Sequence, residues 1–306
     1  MDLTLLATQV LNGIQFGLIL FLLAAGLTLV FGILDFINLA HGAFYMIGAF
    51  ILATITVWTG SFMLGLLLGA VVAGILGLAI ELGIVKYLYK RDHLEQVLAT
   101  FGLLLCADTA VHYLWGPSGL SVPLPGWLNG FVSVGGVTLP MYRIFIVGAG
   151  LALALGLWFV VTRTRAGMIV RASASNRDMA EALGVDTNVV FAGIFGVGAV
   201  LSGVAGALVA PITGASIGMG GPTVITAFVI IIIGGMGSVR GAFAAAMIVG
   251  LIDTLGRAYL GNLFATIFSR DVALTAGPAL ASILIYVIMG VVLAFKPEGL
   301  FPPASR

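Results

Sequence analysis

Charge is what this sequence has least of. Asp, Glu, Lys and Arg make up 8% of its 306 residues, against about 25% in a soluble domain. With 61% hydrophobic residues and a mean hydropathy of +1.21, that shortage excludes a water-soluble globule and leaves a chain that crosses a membrane repeatedly. Cysteine is down to one, Cys106, inside an apolar run, which excludes a disulfide framework or a cysteine-rich metal site. A net charge of +1 excludes the basic surface that nucleic-acid binding needs. The histidines His41, His93 and His112 are scattered, so no metal site is expected. None of the lysines, Lys86, Lys90 and Lys296, follows a glycine, so a GxxxxGK[ST] phosphate loop is excluded. The chain is not expected to be an enzyme or to hold a cofactor; if ATP drives it, another chain hydrolyses the ATP. No Lys or Arg precedes Lys86 and Asp2 is the only early charge, so the first segment lacks the basic start of a cleavable signal peptide. It is expected to be retained and to begin outside.

What is there is apolar and continuous rather than alternating, which predicts membrane-spanning helices and not a barrel. The fold class is therefore all-α: one polytopic transmembrane bundle over residues 1–306. Nine segments are read near 8–33, 42–58, 62–88, 97–115, 142–162, 188–210, 223–238, 241–260 and 276–295. Segments 42–58 and 223–238 are short of the ~20 residues of a full crossing. Either is a candidate broken or re-entrant element, and eight spans is the alternative count.

Lys86, Lys90 and Arg91 follow the third segment, Arg163, Arg165, Arg171 and Arg177 the fifth, Arg240 the seventh, and Lys296 and Arg306 the ninth. Alternate crossings put all of them on one side, the cytoplasm by the positive-inside rule. The opposite loops hold only Arg143, and Arg270 with Asp271. The N-terminus is then periplasmic and the C-terminus cytoplasmic. The external loop 116–141 is rich in Pro and Gly and suits a small cap or hairpin, with Trp115 and Trp127 at the interface. Glycine numbers 43, often at small-xxx-small spacing as in Gly65/Gly69 and Gly198/Ser202/Gly206. That spacing suits close helix packing, within this chain or across a dimer seam.

The densest charge lies in the polar island 162–186, where Arg163, Arg165, Arg171 and Arg177 face Asp178, Glu181 and Asp186. Within it, Asp178-Met-Ala-Glu-Ala-Leu-Gly184 suits a short amphipathic helix, capped by Asn176 or Asp178 and ended by Gly184. Met179, Ala182 and Leu183 share one face, and Arg177 supports Glu181 one turn on. Two readings stand: a docking helix for a water-soluble partner, or a basic loop that fixes topology.

Two glycine-bearing approaches lead into apolar runs. His41-Gly42-Ala-Phe44 after Gly32–Ala40 is echoed by Arg240-Gly241-Ala-Phe243 after Gly234-Gly235-Met236-Gly237-Ser238. Read as a duplication, these are half-helices beside a transport path lined by Asn38, His41, Gly42, Gly234, Gly235, Gly237 and Ser238. Read plainly, they are tight cytoplasmic turns with Asn38 as a cap.

Intramembrane charges offer a competing mechanism. Asp108 and His112 are one turn apart in the fourth segment; they suit a proton relay in an ion-coupled carrier, with local ion or hydrogen-bond pairing near a membrane face as the favoured plain reading. Asp253 and Arg257 have the same spacing in the eighth, where a local ion pair is the favoured reading. Glu81, near the cytoplasmic end of the third, is expected to be hydrated. A passive channel is the third class, but it gives the island no role.

The motifs Asn38-Leu-Ala-His-Gly42, Arg171-Ala-Ser-Ala-Ser-Asn-Arg-Asp-Met-Ala-Glu-Ala-Leu-Gly184-Val185, Gly234-Gly-Met-Gly-Ser238 and Lys296-Pro-Glu-Gly-Leu-Phe301 resemble, in that order and nearly end to end, the LivH/LivM permeases of branched-chain amino acid ABC importers, the LivH type most closely. The resemblance implies an inner-membrane permease domain with a coupling loop over 163–187. In that loop Arg171, Asn176, Arg177, Asp178, Ala180, Glu181, Ala182, Leu183 and Gly184 would meet the motor, with Glu181, Ala182 and Gly184 most characteristic. It implies a second, LivM-like permease subunit, two cytoplasmic ATP-binding subunits carrying ATP and Mg, and a periplasmic substrate-binding protein. Leucine, isoleucine and valine are the substrates it favours, with amides, urea, aromatic acids or other amino acids as alternatives of the same type. The loop 261–275 is long for the family.

Overall fold

The computed structural model describes residues 3–134, 137–265 and 270–301. Within them lie α1 (Leu3–Leu34), α2 (His41–Thr59), α3 (Phe62–Gly83), α4 (His93–Trp115), α5 (Met141–Arg163), α6 (Arg165–Ser175), α7 (Arg177–Ala182), α8 (Thr187–Thr213), α9 (Gly220–Gly234), α10 (Val239–Phe264) and α11 (Arg270–Phe295). Eight of these are long and apolar enough to cross a membrane among the described residues, and α9, with 15 residues, is a shorter apolar helix. The chain is an all-α, multi-pass membrane protein. Of the two doubtful segments, 42–58 lies in α2, which has 19 residues, whereas 223–238 stops early because α9 ends at Gly234. Asp2, Arg306 and residues 266–269 of the loop 261–275 lie outside the described residues.

Local chemistry sets the helix ends. Ser61 accepts from the Leu64 N–H at 3.3 Å to start α3, and Gly60, at φ 71°, ends α2 in the left-handed region that side chains avoid. The loop 116–141 carries an antiparallel hairpin, β1 (Phe131–Val134) with β2 (Val137–Pro140), and Leu120 bridges to Ala215 beyond the end of α8. That end is opposite the one bearing Arg163 and Arg171, the basic end.

The centre is built by backbones in contact. α2 lies on α8 through Gly48 against Gly203 and Tyr45 against Gly206; a Cβ on Gly206 would come 1.8 Å from the Tyr45 oxygen. Gly198 meets Gly26 of α1, Gly69 meets Gly48, and Gly65 meets Leu52 and Thr56. The small-residue spacings of the sequence are therefore seams within this one subunit. On the outside of the centre, α1 packs on α10 through Gly13 and Gly17, and α8 packs on α3 through Gly203 and Ala199.

These pairings give the chain two runs of like order: α1, a break, α2 and α3; then α8, a break, α9 and α10. α1 runs toward the basic end and α8 away from it, so the runs are inverted. The counterpart of His41–Gly42 is not Arg240–Gly241, which opens α10 at the basic end. It is Gly220 at the start of α9, whose backbone lies directly on that of Gly42. The three matching residues of the echo, Gly-Ala-Phe, do not mark corresponding places in the two runs.

Candidate functional site

The first break is a climb back into the bundle. Beyond α1, residues 35–38 have no helical structure and 39–40 form a turn; the segment is held against α4 by Gln96, whose Oε1 accepts from Ile37 N–H at 3.2 Å, and by Thr100, whose Oγ1 accepts from Leu39 N–H at 3.1 Å. α2 consequently begins deep inside, where no side chain caps Ala40. There the His41 Nε2 lies 3.2 Å from the carbonyl of Leu23, in the interior of α1, and the Ser202 hydroxyl donates to the His41 carbonyl at 2.7 Å. Asn38 and His41 are fully buried. Neither polar atom of the Asn38 side chain, nor His41 Nδ1, meets a hydrogen-bond partner among the described residues. An unpaired buried amide costs about 1–3 kcal/mol, which a scaffold tolerates where another polar group has use of it.

The second break lies at residues 214–219, before α9. Gly214, at φ 79°, ends α8, and no side chain caps Met219. Its stretch Gly214-Ala-Ser-Ile-Gly218 has the GxSxG spacing of a hydrolase nucleophile turn. It joins two helices, however, and lacks the preceding strand that such a turn requires. The repeated glycines of 214–221 ahead of Pro222 were the signal for this break.

Gly234–Ser238 is instead a tight turn at the basic end. Ser238 N–H bonds Gly235 O at 3.0 Å and Ser238 Oγ accepts from Gly241 N–H at 3.1 Å, opening α10. Gly235, at φ 103°, and Gly237, at φ 84°, require glycine there. Gly237 packs on Gly32, and the C-terminal stretch docks through Leu300 N–H on Ile233 O and Phe301 N–H on Gly234 O. The structure thus separates Gly234, Gly235, Gly237 and Ser238 from Asn38, His41 and Gly42. It brings Gly237 and Ser238 together with Asp35, Trp158, Arg171 and Arg240 around a cleft of about 840 Å³ between α1, α5, α6 and α10.

The island folds as two short helices. Thr164 caps α6 and Asn176 caps α7, accepting from Met179 N–H at 2.9 Å. Gly184, at φ 86°, closes α7, with Val185 N–H on Ala180 O at 3.0 Å. Ala180 is buried while Met179 and Leu183 are 58% and 78% exposed; Asp178, Glu181, Ala182 and Gly184 are exposed beside them. Glu181 accepts from the Thr187 hydroxyl and from Arg177 Nε, the latter at 2.9 Å. Those bonds, Thr187 first, hold its carboxyl below the usual range. Arg171 donates to the Val161 carbonyl, folding α6 back on α5.

The other membrane charges are placed plainly. Arg257 pairs with Asp253 at 2.8 Å and also donates to Ser282, tying α10 to α11. No hydrogen bond or ion pair joins Asp108 to His112 among the described residues, and His112 is exposed. Glu81, expected to be hydrated, is 1% exposed and accepts from the Tyr89 hydroxyl at 2.9 Å. Tyr89, Gln96 and Thr100 escaped sequence reasoning. The pair Gln96 and Thr100, one turn apart at the start of an apolar helix, was the available signal.

A bundle with inverted runs, a deep uncapped half-helix and an exposed amphipathic loop defines the chain as a membrane permease subunit. Residues 9–293 match the model of the family described as branched-chain amino acid transport system, permease component, and the chain belongs to that family. It is 29% identical over 305 residues to the high-affinity branched-chain amino acid transport permease BraD of Pseudomonas aeruginosa, covering 95% of this chain and 94% of the relative. It is 30% identical over 284 residues to LivH of Escherichia coli K12, covering 85% and 89%. A probable LivH of Methanocaldococcus jannaschii is 27% identical over 307 residues, covering 92% of each. No solved structure matches the chain.

Proposed function

We propose that the chain is the permease subunit of an ABC importer for leucine, isoleucine and valine in a bacterial inner membrane. It works with a second, LivM-like permease, two cytoplasmic ATP-binding subunits and a periplasmic substrate-binding protein. ATP and Mg are held by the ATP-binding subunits. The basic end faces the cytoplasm, which puts the N-terminus in the periplasm and the C-terminus inside.

The observation that carries this reading is α7. A capped helix that buries Ala180 while leaving Met179 and Leu183 in the open presents an apolar face that only a partner covers. Glu181, which accepts from the Thr187 hydroxyl at the start of α8, fixes the angle of that face. Nucleotide-driven movement of the partner is then delivered to residues 163–187. The substrate path runs between the two permeases; Asn38, His41 and Gly42, buried inside this chain in the present conformation, come to line it when α2 moves. Gly234, Gly235, Gly237 and Ser238 form its cytoplasmic exit. The unpaired Asn38 amide and His41 Nδ1 support that assignment, since they are suited to the ammonium and carboxylate of a passing amino acid.

A tag on the C-terminus and gentle solubilisation of native membranes test the assembly. ATP-binding subunits and a second permease are expected to co-purify with the tagged chain. Recovery of this chain by itself across several mild detergents contradicts the proposal.

A further inference from the structure

Tyr89 stands where four parts of the basic end meet. Its ring lies edge-on to Phe36 of the climbing segment, with centroids 5.6 Å apart, and edge-on to Phe191 of α8 at 5.7 Å. Its hydroxyl donates to the buried Glu81 of α3 at 2.9 Å. The far partner of Phe191 is the guanidinium of Arg177 on α7, 4.8 Å from the ring centroid. Every pair in this series is directional, a cation over a ring face or a ring edge on a ring face. A tilt of α7 therefore cannot leave Tyr89 where it is without breaking contacts. A second tie runs alongside: Gln96 donates to Leu88 O at 3.3 Å and Arg91 O at 3.1 Å while accepting from Ile37 N–H. The loop bearing Tyr89 and the climbing segment are thereby held as one body.

We propose that Tyr89 is a positioning residue that passes displacement of α7, through Arg177 and Phe191, to residues 35–40 and so to the deep N-terminus of α2. The inference rests on the importer reading. In its absence α7 has no motor to displace it. It deepens that reading by naming the joint between the coupling loop and the inner break. Burial, then the neighbouring Glu81, push the phenol's pKa far up, so the hydroxyl remains a donor at every working pH.

The test uses the assembled complex in vesicles with [3H]leucine, comparing wild type with Tyr89→Leu, Tyr89→Phe and Arg177→Ala. A second readout is the distance between nitroxides at Asp35→Cys and Trp58→Cys in a Cys106→Ser background, with and without MgATP. Tyr89→Leu is expected to hydrolyse ATP yet move about 2- to 30-fold less leucine per ATP, and to lose most of the ATP-linked distance change. Tyr89→Phe, which keeps the ring and therefore the packing, is expected to fall between. Arg177→Ala added to Tyr89→Leu is expected to cost little more than either one, as members of one series do.

Wild-type leucine yield per ATP in assembled Tyr89→Phe and Tyr89→Leu, or additive losses in the double variant, overturns the proposal. If wild type moves no leucine, the substrate reading fails and the nitroxide distances still judge the joint. A wild-type distance that ignores ATP removes the joint and the coupling together.

Discussion

At the scale of single residues, Glu181 and Asn38 mark the two ends of the proposed mechanism. Glu181 takes two hydrogen bonds on an otherwise open helix, so reversing its charge disrupts the presentation of α7 without touching the core. Glu181→Lys is expected to insert and assemble but to separate ATP hydrolysis from uptake; normal uptake by the inserted variant contradicts this. The carboxyl is also held below its ordinary pKa by Thr187 and Arg177. Its contribution is therefore present above the ordinary carboxylate range and lost as pH falls through the depressed value. Melting curves of wild type and Glu181→Gln are expected to differ at about pH 7 and to converge as pH falls below the ordinary carboxylate range. A gap that is constant over that range contradicts the assignment. Asn38 is the converse case. Its buried amide lacks a protein partner, so Asn38→Leu is expected to leave the fold at least as stable while lowering uptake. A stability loss of about 2 kcal/mol or more indicates instead that the amide is a structural bond.

At the scale of elements, glycine decides how close the helices come. A Cβ at Gly206 meets the backbone of Tyr45, whereas one at Gly193 meets nothing within 4 Å. Gly206→Ala is expected to destabilise the purified chain by about 1–3 kcal/mol, and Gly193→Ala to be neutral or slightly stabilising; equal melting temperatures for the two contradict the account of the α2–α8 seam. The elements also explain what the sequence could and could not reveal. The eight long spans were legible, because a lipid-spanning helix advertises itself by its apolar length; the remaining segment, 223–238, overran α9, which ends at Gly234. α7 was legible from Asn176, Gly184 and the spacing of Met179 and Leu183, since caps and faces are local. The second break was not. Gly234–Ser238 and Gly214–Gly218 are both glycine-rich, and only the tertiary contact of Gly220 with Gly42 distinguishes a deep break from a tight turn. Glu81 failed for the same reason, its partner Tyr89 being supplied by a loop that folds back under α3.

At the scale of the whole molecule, two inverted runs meet at Gly42 and Gly220, and the loop presenting α7 is connected to one of them through Phe191 and Tyr89. Such a body is suited to rocking about its centre when pushed from the basic end. The candidate relay for an ion gradient is not joined: Asp108 and His112 sit on α4 without a bond between them among the described residues. The double variant Asp108→Asn with His112→Gln is expected to retain uptake within about twofold, where an intramembrane relay loses nearly all of it. The most direct measurement is [3H]leucine uptake into vesicles that hold the complete complex with its binding protein, under ionophores that collapse every ion gradient. Uptake that needs MgATP on the side of α7 and persists under the ionophores is the predicted result. Uptake that follows an imposed proton gradient in the absence of ATP, and vanishes in Asp108→Asn, contradicts the account.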